Sequence, residues 1–137
     1  MSAATSGPQV EVRRIYEDPK GSGSEQRMLV DRLWPRGLSR GRVRIDEWCK
    51  EAAPSTELRQ WYGHDPDRFE EFARRYRAEL RRAPGRKAVE DLVARARRSR
   101  KVVLLTATKD VDRSGAAVLA GVIRRRLQRH GAGRAKG

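Results

Sequence analysis

Apolar residues follow a β-strand pattern in three parts of the chain. They alternate or cluster over residues 10–16 and 27–34, and Pro35 ends the second of these segments. Residues 102–106 form a continuous apolar run between charged residues, which is typical of a strand buried on both faces of a sheet. The sequence therefore predicts three strands separated by long stretches of different periodicity.

Helical spacing of apolar residues dominates those intervening stretches. A short helix is predicted over about residues 45–52, and Ser55 is placed to cap the next helix. Asp65 and Pro66 mark the start of a longer helix, with a side-chain acceptor at the cap and proline in the first turn. The apolar faces of this helix and of two later ones are Phe69, Phe72, Ala73, Tyr76 and Leu80; Ala88, Leu92, Val93 and Ala96; and Leu119, Ile123 and Leu127.

Strands that alternate with helices predict an α/β fold. The 137 residues suit one domain. We expect a single three-layer domain with a small, mostly parallel sheet and flanking helices over residues 9–130. Residues 1–8 are small and polar and predict a disordered lead, and residues 131–137 predict a flexible basic tail.

The net positive charge favours anionic partners. The formal net charge is +14, and residues 86–137 hold 15 basic against 4 acidic side chains. Such a field attracts nucleic acid, anionic lipid and phosphorylated small molecules alike. No apolar run is long enough to cross a bilayer and no secretory signal is evident, so we expect a cytoplasmic protein without a membrane partner. Cys49 is the only cysteine, and two histidines among scattered acids match no ligand spacing, so neither a metal nor a cofactor is expected.

Ligands of parallel α/β sheets sit beyond the carboxyl ends of the strands, and this rule selects two loops. In the loop after residue 30, Arg32 and Arg36 flank Trp34, and two guanidinium groups held there would clamp a phosphate or carboxylate. The alternative is structural: Asp31 pairs with an arginine and Trp34 fills the core.

The second loop contributes different candidates. Lys109 would meet an anion and Asp110 would act as a base or orient an arginine, whereas the structural alternative is a salt-bridged turn. Between the two loops, His64 suits acid–base chemistry or anion binding, unless it is a surface histidine beside the cap residue Asp65.

Four motifs resemble one protein family. In chain order they are Leu29-Val30-Asp31-Arg32-Leu33-Trp34-Pro35-Arg36-Gly37-Leu38, Trp48-Cys49-Lys50-Glu51-Ala52-Ala53-Pro54-Ser55, Leu58-Arg59-Gln60-Trp61-Tyr62-Gly63-His64-Asp65-Pro66, and the segment from Phe69 to Leu80. With the strand over residues 102–106 and its Lys109-Asp110 loop, they resemble the YeaO-like proteins of domain-of-unknown-function family 488.

The resemblance implies a small cytoplasmic bacterial α/β protein without an established activity. It also exposes a departure from the family pattern. Related sequences usually continue after Lys109-Asp110 into an acidic stretch with histidine and asparagine, whereas residues 111–116 here contain no histidine. If those side chains carry chemistry in relatives, this chain lacks it.

Two functional hypotheses follow. In the first, a pocket binds a small anionic ligand through Arg32, Trp34, Arg36 and Lys109, with His64 and Asp110 as catalytic residues if a reaction occurs. Whether the protein is an enzyme is left open. In the second, the basic C-terminal half binds nucleic acid non-specifically. The run Arg124, Arg125 and Arg126 would then be a phosphate-tracking stripe, whereas the alternative is a solvated helix face. A structural or regulatory role with a protein partner is a third alternative, and the oligomeric state is open.

Overall fold

A four-stranded, entirely parallel sheet forms the centre of the described chain. The computed structural model describes residues 7–136, with side chains through residue 129. The strands are β1 (Gln9–Arg14), β2 (Gln26–Leu29), β3 (Glu47–Trp48) and β4 (Lys101–Thr106), in the spatial order β1-β4-β2-β3. The predicted α/β class and parallel sheet are confirmed. Most of the predicted lead and the side chains of the predicted tail lie outside the described residues.

Four helices accompany the sheet: α1 (Thr56–Tyr62), α2 (Phe69–Glu79), α3 (Gly85–Ser99) and α4 (Gly115–Lys136). The predicted caps are confirmed, since the Ser55 hydroxyl accepts from the Leu58 N–H and the Asp65 carboxylate accepts from the Asp67 N–H. A 3-10 turn, Pro66–Arg68, leads into α2. No helix among the described residues is long and apolar enough to cross a membrane.

The predicted helix over residues 45–52 is wrong. This segment forms β3 and a 3-10 turn, Lys50–Ala52. Its backbone pairs with β2: the Asp46 N–H donates to the Arg27 carbonyl, and the Cys49 N–H donates to the Leu29 carbonyl. Hydrogen bonds to a neighbouring strand therefore override a weak local helical pattern.

The two faces of the sheet are covered differently. On the helix face, Met28, Val102 and Leu104 pack with apolar side chains from all four helices. On the loop face, Leu29, Val103 and Leu105 pack under the segments that connect the first three strands. The side chains of that cover are Ile15, Tyr16, Trp34, Leu38, Val43 and Ile45. The third layer of the domain therefore consists of loops.

A buried ionic network continues the loop face toward the amino ends of the strands. Arg27 is fully buried, and its Nη1 lies 3.4 Å from both the Glu25 and the Asp18 carboxylates. Arg13 Nη1 reaches the same two carboxylates at 3.2 and 2.7 Å. The Arg27 Nε–H also donates to the Arg44 carbonyl at 2.7 Å. This network joins the loop after β1 to the two strands beneath it.

Candidate functional site

A cavity of about 580 Å³ opens at the carboxyl ends of β1, β2 and β4. The parallel arrangement brings the segments after these strands to one edge of the sheet, and the turn after α1 closes the cavity from the side. The six predicted site residues all line it: Arg32, Trp34, Arg36, His64, Lys109 and Asp110. The structure therefore brings them together, while their roles stay predictions.

Basic side chains outnumber acidic ones around this cavity. Its cationic lining residues are Arg14, Arg32, Arg36, Arg59 and Lys109, and its carboxylates are Asp31 and Asp110. Asp110 is already engaged, because its Oδ2 lies 2.9 Å from Arg113 Nη1. The predicted alternative of a salt-bridged turn is present at this position.

Asp31 joins the ends of β2 and β4. Its carboxylate accepts from the Thr106 hydroxyl and from the Ala107 N–H, each at 2.7 Å. Burial raises the pKa of Asp31, although these two hydrogen bonds and the nearby charges of His64 and Arg59 act in the opposite direction. Among the described residues Asp31 forms no salt bridge, so the predicted pairing of Asp31 with an arginine is wrong.

Arg32 is held by backbone carbonyls. Its Nε donates to the Pro54 carbonyl at 3.1 Å, and its Nη2 donates to the Ala53 carbonyl at 3.3 Å. The guanidinium is therefore fixed in place at the cavity wall with N–H groups to spare, since arginine has five. Arg32 adds a positioned charge to the site.

Trp34 and Arg36 differ in burial. Trp34 is half-buried: its Nε1–H donates to the Leu38 carbonyl at 2.6 Å, and its ring meets Trp48 edge to face at 5.4 Å. Arg36 is exposed, although its backbone carbonyl accepts from the Tyr16 hydroxyl at 2.6 Å. Trp34 thus combines a packing role with a place at the cavity, and the Arg36 guanidinium is free to reorient.

His64 and Lys109 are exposed side chains on turns. His64 has a left-handed backbone conformation with φ of 59°, and its ring lies 6.0 Å from that of Tyr62. Lys109 follows β4 directly before Asp110. Within the described chain no hydrogen bond or ion pair joins His64 to Asp110, so the arrangement presents cations and hydrogen-bond donors without a preformed acid–base pair.

Comparison with known proteins identifies the family. The chain matches over residues 9–136 a family model described as the inactive DUF488-N3 subclade. The chain belongs to the DUF488 family. An uncharacterized protein of Mycobacterium tuberculosis, Rv3073c, is 46% identical over 114 residues, covering 83% of this chain and 92% of the relative. The uncharacterized protein YeaO of Escherichia coli is 34% identical over 116 residues, covering 84% and 96%. No solved structure matches.

Membership in DUF488 confirms the resemblance that the sequence motifs indicate. The description of the subclade as inactive agrees with the segment after Asp110, which lacks the histidine expected from related sequences. The described residues also contain no group of three histidine, cysteine or acidic side chains able to hold a metal ion. Burial raises the pKa of the Cys49 thiol to about 12, which keeps it protonated and unreactive at neutral pH.

Two basic cavity residues of this DUF488 protein were missed in the sequence. Arg14 ends β1, and its guanidinium lies 4.8 Å from the centre of the Tyr16 ring. Its Nε is buried, and the described residues offer that atom no hydrogen-bond partner. Arg59 lies on α1 and is exposed. The rule that selected the loops after the other strands would also have selected Arg14, had the position of β1 beside β4 been known.

Proposed function

We propose that this DUF488 protein binds a small organic anion, carrying a phosphate or carboxylate group, in the cavity at the carboxyl ends of its strands. The observation that supports this most directly is the surplus of positive charge around one concave site. One of its two carboxylates is paired with Arg113, and the other is half-buried and hydrogen-bonded. A cleft with a surplus of one sign of charge concentrates field lines and raises the local concentration of an oppositely charged ligand.

The donors divide into fixed and adjustable groups. Arg32 is anchored by the two carbonyls and supplies a charge in a set position. Arg36, Arg59 and Lys109 are exposed and supply guanidinium or ammonium donors that close on the anion. His64 adds a donor from the turn after α1. Hydrogen bonds between a charged donor and an anion stabilise binding by about 1.5–3 kcal/mol each.

Apolar residues at the same cavity favour an organic ligand over a bare inorganic ion. Leu33 is 60% exposed and lies between Arg32 and Trp34 in the chain. Trp34 and Tyr16 line the cavity beside it. The volume of about 580 Å³ falls within the range of roughly 300–1,000 Å³ typical of small-molecule sites.

Binding without turnover fits the available side chains. The description of the subclade as inactive supports this choice, as does the pairing of Asp110 with Arg113 instead of His64. Under this proposal His64 and Asp110 serve recognition, with His64 as a donor to the anion and Asp110 orienting Arg113.

The test is titration calorimetry with inorganic phosphate, a sugar phosphate and citrate. Arg36→Ala and Arg59→Ala are each expected to weaken binding by about tenfold or more, because each removes a charged hydrogen bond. Arg42→Ala removes the same charge from an exposed position outside the cavity and serves as the matched control. Equal affinity of Arg36→Ala and Arg42→Ala, or no binding of any of the three anions, would overturn the proposal.

Turnover is tested separately. The wild-type protein is incubated with a phosphate ester and an acid-labile carboxylic ester, and product is measured against His64→Gln. Hydrolysis by the wild type that His64→Gln abolishes would make the site catalytic and contradict binding alone. Unchanged anion affinity in His64→Gln would remove His64 from the set of donors.

A further inference from the structure

A second basic site lies between helices α2, α3 and α4. This groove of about 340 Å³ shares no lining residue with the cavity at the sheet edge. Three apolar side chains line it, Leu80, Val89 and Val122, and every other lining residue is an arginine. The arginines of the groove are Arg77, Arg81, Arg86, Arg125, Arg126 and Arg129.

Among the described residues, five of the six groove arginines lack a carboxylate partner. On α2, Arg74 and Arg75 both pair with Glu71, at 2.5 and 2.7 Å. In the groove, Arg86 lies 3.4 Å from Glu90, and the other five have no carboxylate within 4.0 Å among the described residues. Residues 1–6 and 130–137 contain no Asp or Glu in the sequence. Most of the positive charge of the groove is therefore not neutralised by side chains of this chain.

The arginines of the run on α4 lie in two different places. The Arg124 guanidinium donates to the Val10 carbonyl and so covers the outer edge of β1. Arg124 is therefore engaged at this edge and does not line the groove. Arg125, Arg126 and Arg129 face the groove instead.

We infer that this groove binds the phosphate backbone of a double-stranded nucleic acid. Like charges gathered on one surface repel each other, and an external polyanion relieves that repulsion. The arginines in turn release cations that are condensed on the nucleic acid, which favours binding. Arginine engages phosphate oxygens through paired N–H donors. Arg125 and Arg129 are four residues apart on α4, a rise of about 6 Å that is on the scale of neighbouring phosphates.

The absence of aromatic residues from the groove lining, among the residues that the structure describes, favours a duplex over a single strand. Proteins that bind single strands stack the bases on aromatic side chains, and this lining offers none. Arginines that contact phosphates alone carry no sequence information. The binding is therefore expected to be non-specific and strongly dependent on salt.

Fluorescence anisotropy with a labelled duplex DNA, measured over a series of salt concentrations, tests the inference. The groove variant is Arg81→Gln, Arg125→Gln and Arg129→Gln combined, since all three side chains are exposed. The control variant combines Lys20→Gln, Arg42→Gln and Arg98→Gln, which removes equal charge from exposed positions outside the groove. The groove variant should weaken binding and lower the slope of log affinity against log salt by about 0.9 for each phosphate that the protein no longer neutralises.

Competitors identify the class of polyanion. Unlabelled duplex DNA should displace the probe more effectively than a single-stranded oligonucleotide or polyglutamate. Three results would overturn the inference: no duplex binding at low salt, equal losses of affinity in the groove and control variants, or stronger competition by the single strand or by polyglutamate. Circular dichroism and melting of both variants confirm that each is folded. Because the cavity residues are intact in both variants, anion binding at the sheet edge is measured independently.

Discussion

The helix face and the loop face of the sheet are stabilised in different ways. Side chains from β2 and β4 on the helix face meet helices whose buried residues are all apolar apart from two tyrosine hydroxyls and the cap groups. On the loop face, an apolar patch that includes Leu29 and Leu105 continues into a network of arginines and carboxylates. Helices satisfy their own backbone hydrogen bonds and pack through buried apolar surface. Loops need hydrogen bonds and ion pairs from side chains to hold their conformation.

The difference shows which part of the fold tolerates substitution. Apolar packing is non-directional, so volume-conserving changes on the helix face cost little. The hydrogen bonds of a buried guanidinium are directional. When a substitution removes one partner of such a bond, the other partner stays buried and unsatisfied, which destabilises the fold. The loop face is therefore specified by fewer residues, each with a larger share of the polar interactions.

Truncation of Tyr76 should give the largest loss of stability. The side chain is fully buried between α2 and the sheet, its ring lies 5.7 Å from that of Phe72, and its hydroxyl donates to the Ala52 carbonyl. Tyr76→Ala is expected to lower the free energy of unfolding by about 3–5 kcal/mol, as other buried aromatic truncations do. Urea denaturation measures it, and Tyr76→Phe separates the hydroxyl from the ring. A loss below that of Arg27→Met would reverse the ranking of the two faces.

Arg27→Met tests the loop face. The substitution keeps much of the buried volume. It leaves Glu25, which is 4% exposed, with Arg13 and Lys101 as its remaining charge partners among the described residues. We expect a loss of about 3 kcal/mol, as for one partner of a buried pair. Adding Glu25→Gln should recover part of that loss, because the buried carboxylate that has lost its Arg27 partner is replaced by a neutral amide. A double variant less stable than Arg27→Met would show that Glu25 is stabilised by its other partners.

The smallest expected effect is the loss of the Asp18 contribution to the free energy of unfolding at low pH. The Arg13 guanidinium holds the pKa of Asp18 below its usual range. Since the folded-state pKa is depressed, this contribution to stability is complete above the unfolded pKa of about 3.9 and is lost as the pH falls through it toward the folded value. Asp18→Asn should flatten the fall in unfolding free energy below about pH 5, measured by urea denaturation at several pH values. If the pH dependence of the unfolding free energy is the same in Asp18→Asn as in the wild type, other carboxylates cause the acid sensitivity.

The helix face was predictable from the sequence because local patterns specify its elements. The run over residues 102–106 is buried on both faces, and helical spacing placed the buried faces of α2 and α3. β3 was not predictable, because two residues carry no periodicity and the strand exists through hydrogen bonds to β2. The loop-face network was also missed, since charged residues in a loop predict exposure unless their partners are known.

The cavity was predictable only in part. The loops after two strands were found from a general rule, and that rule placed Arg36 and Lys109 at one edge. Arg14 and Arg59 were missed because their position depends on β1 lying beside β4 and on α1 packing near the strand ends. Sheet order is a long-range property that no local pattern reveals.

That sheet order also sets the timing of assembly. Gln9 lies beside Lys101, and β4 separates β1 from β2, so the first strand made by the ribosome has no neighbour in the sheet until β4 has emerged. Contacts between such distant parts of a chain slow folding, because the long loop must close before they form. Arg124 reaches Val10 later still, from the final helix. The sheet of this protein is completed only when β4, which ends at Thr106, has been synthesised. Until then β1 is an unpaired strand edge, and such edges are prone to aggregation.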